Sequence, residues 1–285
     1  MLFNIPSPTH EAVIPFIHKK IFVKRDDLIH PYISGNKWRK LKYIIQQAKL
    51  EKKNHLVSFG GAYSNHILAL STVGHIHGLV TTGIIRGDEF IDNEVLKHCR
   101  SYGMQIIHVS RNAYRNKLAI FQHFFRADDQ AFFIDEGGMH EAALLGVDEL
   151  LDEIDTRQFD HIFTACGTGT TICGLAQRAL HPLLHGVLII KTTKEHFVKE
   201  QAIMKYAKHP IILYDQFHHN GYSKKSPPLL TFIKEWNTIN QVKIEPIYTG
   251  KVAYAIMTMI QKNEISYNDH ILLLHTGGIL ESAII

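Results

Sequence analysis

Short β-branched runs alternate with stretches of helical length along most of this chain, and that rhythm limits the fold more than any other feature. The runs HLVSFGG, LVTTGIIRG, MQIIHVS, AFFIDEGG, HIFTAC, HGVLII, PIILYD and HILLLHTGG read as buried strands. Between them lie segments with helical periodicity or helix-stop signals, such as NEVLKHCRSYG closed by Gly103 and VAYAIMTMIQK. Residues 112–128 and 194–207 are expected to be helical, and EAALLGVDELLDEI to form one long helix. Residues 1–20, with Pro6, Pro8 and Pro15, read as an irregular arm before a strand at 21–24. Regular strand–helix alternation predicts parallel sheets covered by helices. No internal repeat and no low-complexity tract interrupts it.

Composition narrows the function classes. A chain of 285 residues, 45% hydrophobic and 20% charged, buries a large core and suits about two domains. A net charge of +4 without a long basic run gives no nucleic-acid footprint. No apolar run is long enough to span a bilayer, and MLFNIPSPTH lacks the plan of a signal peptide. Cys99, Cys166 and Cys173 form no CxxC, which fits a reducing compartment, and a cytoplasmic location is expected. The pairs His75/His77 and His218/His219 join no cysteine or carboxylate at zinc-site spacing, so no metal site is expected.

Against this background five loops stand out. In SGNKWRKL, Lys37 opens a helix whose apolar face is Leu41, Ile44, Ile45 and Ala48. The helix dipole and burial would both lower its pKa, making a nucleophilic amine able to form an imine; the alternative is an ordinary exposed lysine. The loop Cys166, Gly167, Thr168, Gly169, Thr170, Thr171 follows a strand and opens a helix, a setting in which free N–H groups take a phosphate. It lacks the Gly-Lys-Ser/Thr of a P-loop, and Gly174 comes too late for a dinucleotide fingerprint, so the alternative is a plain tight turn. Ser64 and Asn65 stand at a second helix start, as ligand groups or as a simple cap. Tyr222 in NGYSKKSPP and Tyr248 in EPIYTGK lie in turns, where either could be a surface tyrosine. An imine-forming lysine together with a phosphate cradle and no nucleotide motif suits pyridoxal 5'-phosphate.

The segments VKRDDL (23–28), SGNKWRKL (34–41), GGAYSNH (60–66), IIRG (84–87), EGG (136–138), ACGTGTTICGL (165–175), GY (221–222), IYTGK (247–251) and HTGG (275–278) come in an order that identifies a family. The chain resembles the 1-aminocyclopropane-1-carboxylate (ACC) deaminases and D-cysteine desulfhydrases, pyridoxal-phosphate enzymes of the tryptophan-synthase β fold type. The resemblance implies an α/β fold of two domains, each a mostly parallel sheet flanked by helices, with the cofactor in the interdomain cleft. Residues 1–46 and 151–285 would form a large cofactor-binding domain, and 47–150 a small inserted one. It further implies that Lys37 joins the cofactor, Asn65 bonds its ring hydroxyl, 166–171 holds the phosphate, and Thr249 meets the pyridine nitrogen. Ser64 would face the substrate carboxylate, with Tyr248 and Tyr222 assisting proton movement. A small amino acid is the implied partner, and a homodimer the implied assembly.

The implied reaction is that of a lyase or, in the wider deaminase sense, a hydrolase. In the resemblance, ACC deaminases carry glutamate directly after the tyrosine of the IYTGK turn and desulfhydrases carry threonine. A neutral Thr249 makes the ring a weaker electron sink than a carboxylate would, which favours β-elimination of a good leaving group such as thiolate over cyclopropane opening. Two departures stand beside this: Tyr63 replaces the desulfhydrase glutamine, and Thr170 replaces the usual second glycine. Tyr63 leaves the substrate open, and with it ACC deamination, β-replacement or racemisation. A phosphate- or nucleotide-binding regulator without catalysis is the reading from outside enzymology.

Overall fold

The structure is a computed structural model that describes residues 3–33, 35–87 and 93–278. Its strands are β1 (Thr9–Ile14), β2 (Lys19–Lys24), β3 (His55–Gly61), β4 (Val80–Arg86), β5 (Gln105–Val109), β6 (Ala131–Ile134), β7 (His161–Cys166), β8 (Leu183–Leu188), β9 (Ile211–Tyr214) and β10 (Ile271–Leu274). Its helices are α1 (Asn36–Leu50), α2 (Asn65–His77), α3 (Glu94–Ser101), α4 (Lys117–Phe125), α5 (Ala142–Asp148), α6 (Thr170–Leu175), α7 (Lys194–Glu200), α8 (Pro227–Ile239) and α9 (Thr249–Gln261). The chain divides into two compact units, Met1–Asn36 with Val147–Ile285, and Lys37–Gly146.

The larger unit holds a six-stranded sheet in the order β1-β2-β10-β7-β8-β9. All neighbours pair in parallel except β1, which runs antiparallel to β2 with Thr9 opposite Lys24 and Ile14 opposite Lys19. The period of two sorts the side chains to opposite faces. On β7, Phe163 and Ala165 join a core with Trp236 of α8 and Val252 and Ile256 of α9. Ile162 and Cys166 face a second core with Ile172 and Leu175 of α6. Leu273 goes to the first core, and Leu272 and Leu274 go to the second. The smaller unit holds a parallel sheet in the order β5-β4-β3-β6. Val57 and Phe59 of β3 pack there on Tyr114, Ile120 and Phe125.

Both sheets have a switch point, where successive connections leave in opposite directions. In the smaller unit the chain steps from β3 out to β4 and β5, then returns to place β6 on the far side of β3. In the larger it steps from β7 to β8 and β9, then places β10 on the far side of β7. Ligands of open α/β sheets bind beyond the carboxyl ends of strands at such points. The loops after β3 and β7 are the ones that carry Ser64-Asn65 and 166–171.

Several expectations need correction. The N-terminal arm is not wholly irregular: Thr9–Ile14 form edge strand β1. Prolines 6, 8 and 15 lie just outside that strand, where their missing N–H costs no ladder bond. The long helix at EAALLGVDELLDEI is α5 followed by a 3-10 turn at Glu149–Glu153. The helix over 194–207 likewise ends at Glu200 and continues as a 3-10 turn, Ala202–Tyr206. The helical stretch 112–128 narrows to α4 after a 3-10 turn at Ala113–Arg115.

Candidate active site

Lys37 owes its setting to the residues just before it. Gly35 has φ of +65°, and a Cβ there would lie 1.7 Å from the Thr276 carbonyl oxygen, so any other residue would push the turn off the end of β10. Gly35 N–H donates to Asp26 O at 3.0 Å and Asn36 N–H to Thr276 O at 3.3 Å. Ser34 lies outside the described residues. Lys37 is then the second residue of α1, where its ammonium meets the positive end of the helix. Desolvation lowers its pKa to about 8. An appreciable share of the amine is therefore uncharged near neutral pH, as a nucleophilic lysine requires.

The start of α2 is built in the same unit. Ser64 is the N-cap, and its Oγ accepts a long 3.4 Å bond from Ile67 N–H. At that length the hydroxyl is only weakly engaged. Asn65 follows as the first helical residue and is partly open to solvent. Tyr63, before the cap, is 68% exposed. His66 is a residue to which sequence reasoning gave no role. Ser58 Oγ donates to Ile134 O at 2.8 Å, which occupies its hydrogen. His66 Nε2, 2.8 Å from the same Oγ, is therefore the donor of that pair, and Nδ1 keeps its lone pair. That Nδ1 is buried without a partner. Desolvation, with the charges of Lys37 and Lys40, holds the ring well below its ordinary pKa and hence neutral.

In the larger unit, 166–171 makes a tight passage from β7 into α6. Gly169 has φ of +79°, and a Cβ there would sit 2.9 Å from Met204 Sδ and 3.3 Å from the Phe197 ring. Cys166 is in the core, so what it offers a ligand is backbone. Gly167 and Thr168 are partly open, and Thr170 and Thr171 are buried. Thr168 and Thr170 share a hydrogen bond between hydroxyls at 3.1 Å. Asn36 Nδ2 donates to Thr171 Oγ1 at 2.7 Å, while Asn36 Oδ1 is buried without a partner. The start of α6 leaves its first backbone N–H groups without an intrahelical carbonyl, and the loop adds hydroxyls, the donor set a phosphate needs.

The remaining candidates gather at the start of α9. Tyr248 and Tyr222 come together with their hydroxyl oxygens 2.9 Å apart and their rings edge to face. Thr249 is buried, and its Oγ1 has no partner. Glu245, which sequence reasoning passed over, organises this turn. Its carboxylate accepts from the N–H groups of Ile247 (2.5 Å), Tyr248 (3.0 Å) and Thr249 (2.7 Å), satisfying donors that a helix start leaves open. Burial raises its pKa, and these N–H groups pull the other way. The signal was the acid three residues before Tyr248 in EPIYTGK, but an exposed glutamate has the same spelling.

The model of the pyridoxal-phosphate dependent enzyme family matches residues 4–277. The chain is 28% identical over 280 residues to a protein of Thermotoga maritima named putative 1-aminocyclopropane-1-carboxylate deaminase, covering 91% of this chain and 88% of that one. It is 26% identical to a bifunctional D-cysteine desulfhydrase/1-aminocyclopropane-1-carboxylate deaminase of Arabidopsis thaliana, covering 98% and 78%. Among solved structures it resembles an ACC deaminase homologue with a TM-score of 0.85 at 24% identity, covering 98% of this chain and 91% of that one. It also resembles a hydrogen sulfide-producing enzyme of Fusobacterium nucleatum, with a TM-score of 0.72 at 14% identity and coverages of 97% and 96%. These two likenesses are likenesses of fold. The wider expectation of a hydrolase is dropped, since the family and these relatives indicate a pyridoxal-phosphate lyase.

The residues present fit the cofactor. An amine with a lowered pKa suits its aldehyde, the 166–171 donors suit its phosphate, and the orphaned Thr249 Oγ1 suits a ring nitrogen. With an α/β fold of two mostly parallel sheets and a family match over nearly its whole length, the chain belongs to the pyridoxal-phosphate-dependent enzymes.

Proposed function

We propose that the protein is a lyase that removes the β-substituent and the amine from a small amino acid of the D-cysteine type. With D-cysteine, one water is consumed and pyruvate, ammonia and hydrogen sulfide are released. The observation that carries this reading is Thr249: a neutral, buried hydroxyl without a partner, at the position read as facing the pyridine nitrogen. Bound pyridoxal phosphate supplies the sink for negative charge at Cα, and a neutral neighbour makes it a moderate one. A moderate sink suffices when thiolate leaves from the β-carbon.

The chain's own groups divide the remaining work. Lys37 anchors the cofactor, and its freed amine takes the Cα proton. The Tyr248 hydroxyl, bonded to that of Tyr222, holds or returns a proton on the substrate side. Ser64 and the N–H groups beside it bind the substrate carboxylate, and Asn65 orients the ring through its hydroxyl. Cys166, Gly167, Thr168, Gly169, Thr170 and Thr171 hold the phosphate. Residues 1–46 and 151–285 serve as the cofactor-binding domain, with Lys37, and 47–150 as the inserted one. A homodimer and a cytoplasmic location belong to the same reading. In support of that location the three cysteines are buried, and no helix among the described residues is long and apolar enough to cross a membrane.

Deamination of ACC is the second reading, favoured by the names of the Thermotoga and Arabidopsis relatives. Release of 2-oxo acid by the cofactor-loaded protein, measured on D-cysteine and ACC side by side, separates the two: three-carbon D-cysteine gives pyruvate, and four-carbon ACC with one water gives 2-oxobutanoate and ammonia. Pyruvate from D-cysteine with no 2-oxobutanoate from ACC is the expected result. 2-Oxobutanoate from ACC would mean that a neutral partner at the ring nitrogen suffices for ring opening.

A further inference from the structure

Burying a lysine is costly, and Lys251 is fully buried. It also stands in the first turn of α9, the end of a helix that disfavours a cation. Desolvation lowers its pKa to about 8, against which the Glu245 carboxylate acts. A methionine would fill the space without that cost, so the position calls for donors. Two of them reach one loop: Nζ donates to His218 O and to Gly221 O, each at 2.8 Å.

That loop needs holding. His219, Asn220 and Ser223 have φ of +48°, +71° and +59°, and Gly221 has φ of +113°. Left-handed backbone costs a non-glycine residue roughly 1–2 kcal/mol. Tyr222 rides on this strained segment and is 45% exposed, yet its hydroxyl lies 2.9 Å from that of Tyr248. Tyr248 is held from the other side, through the N–H that it donates to Glu245. One buried group of each sign therefore holds backbone at the pair: Glu245 takes the N–H of Tyr248, and Lys251 bonds the carbonyl of Gly221, the residue just before Tyr222.

We propose that Lys251 is a positioning residue: through the carbonyls of His218 and Gly221 it sets the Tyr222 hydroxyl against that of Tyr248, so that one proton is shared between the two. Its effect on turnover rests on the lyase reading above, whereas its effect on the tyrosine pair does not. The test uses the cofactor-loaded protein, labelled with [13Cζ]tyrosine and assigned with Tyr222→Phe and Tyr248→Phe. Lys251→Met should move the Tyr222 and Tyr248 resonances from their wild-type positions while keeping the visible absorbance of bound cofactor. Pyruvate release should fall by about 10²-fold in kcat with little change in KM, the size of effect expected from an ångström of misplacement. In a Tyr222→Phe background the same substitution should cost little further, because both changes act through one hydroxyl. Should Lys251→Met fail to fold, Lys251→Gln, which keeps neutral donors, carries the same comparison. Unmoved tyrosine resonances, or an undiminished loss in the Tyr222→Phe background, would overturn the proposal. If the wild type releases neither pyruvate from D-cysteine nor 2-oxobutanoate from ACC, the lyase reading fails and the resonances alone decide the role of Lys251.

Discussion

The starts of α1 and α9 present the same residue in nearly the same place. Lys37 is the second residue of its helix and Lys251 the third, and burial brings both to a pKa of about 8. They differ in what surrounds the nitrogen. Lys251 gives its protons to two loop carbonyls, whereas Lys37 has no hydrogen-bond partner among the described residues. A lowered pKa therefore does not by itself identify a nucleophile. An amine whose hydrogens are committed holds structure, and one left uncommitted can attack an aldehyde.

The largest effect should follow from Lys37→Ala. Loss of the visible band of bound cofactor is expected, with a fall in pyruvate release of about 10⁴-fold, the upper range for removal of an acid–base group. Lys251→Met should keep that band. A variant of Lys37 that stays coloured would end the distinction between the two lysines.

Glu245→Ala tests the other half of the α9 start. It leaves three N–H donors without their carboxylate, so a loss of about 3 kcal/mol is expected in urea unfolding. The first turn of α1, by contrast, contains no acidic residue.

Stability against pH sharpens the comparison further. For each lysine the folded pKa lies below the ordinary 10.5. Between about 8 and 10.5 each of these two lysines therefore holds fewer protons in the folded chain than in the unfolded one, and the stability contributed by these two groups rises with pH. Burial pushes the Cys99 and Cys173 thiols up to about 11, which acts the other way, so the lysine contribution shows as a difference: in denaturant titrations of the cofactor-free protein at fixed salt, the rise relative to Lys37→Ala and to Lys251→Met should be positive for the wild type. A rise left intact by both variants would mean that neither amine is charged and buried as described.

The smallest effect is expected at Thr249. Among the described residues its Oγ1 makes no hydrogen bond, so Thr249→Ala forfeits chiefly the packing of one buried methyl group and should lower the unfolding free energy of the cofactor-free protein by about 1 kcal/mol. Cofactor affinity should fall about tenfold, the worth of one hydrogen bond of about 1.4 kcal/mol. Equal affinity in the two proteins would remove Thr249 from the ring nitrogen.

Much of this was legible from the residue order. The strand–loop–helix rhythm announced parallel sheets because apolar runs buried on both faces leave no polar alternation, as in HIFTAC. Lys37 and the loop 166–171 stood out because a lysine at a helix mouth and a Gly/Thr turn after a strand are each chemically unusual. Strand β1 was hidden by the prolines around it, and its pairing depends on β2 lying alongside. Glu245, His66 and Lys251 were hidden for another reason. A capping carboxylate, a neutral buried histidine and a clamping ammonium read the same in one dimension as their exposed counterparts.

The sequence alone therefore determined the strand–helix alternation apart from β1 and the helix ends, which loops lie at the carboxyl ends of the strands, and which family the chain belongs to. Those depend on local periodicity, turn chemistry and motif order, all written within a few neighbouring residues. Only the tertiary structure decided what each charge does. Tyr222 meets Tyr248 across 26 positions, and Lys251 reaches carbonyls 30 and 33 residues away. Burial, pKa and hydrogen-bond partners are properties of such distant neighbours, and the folded chain supplies them.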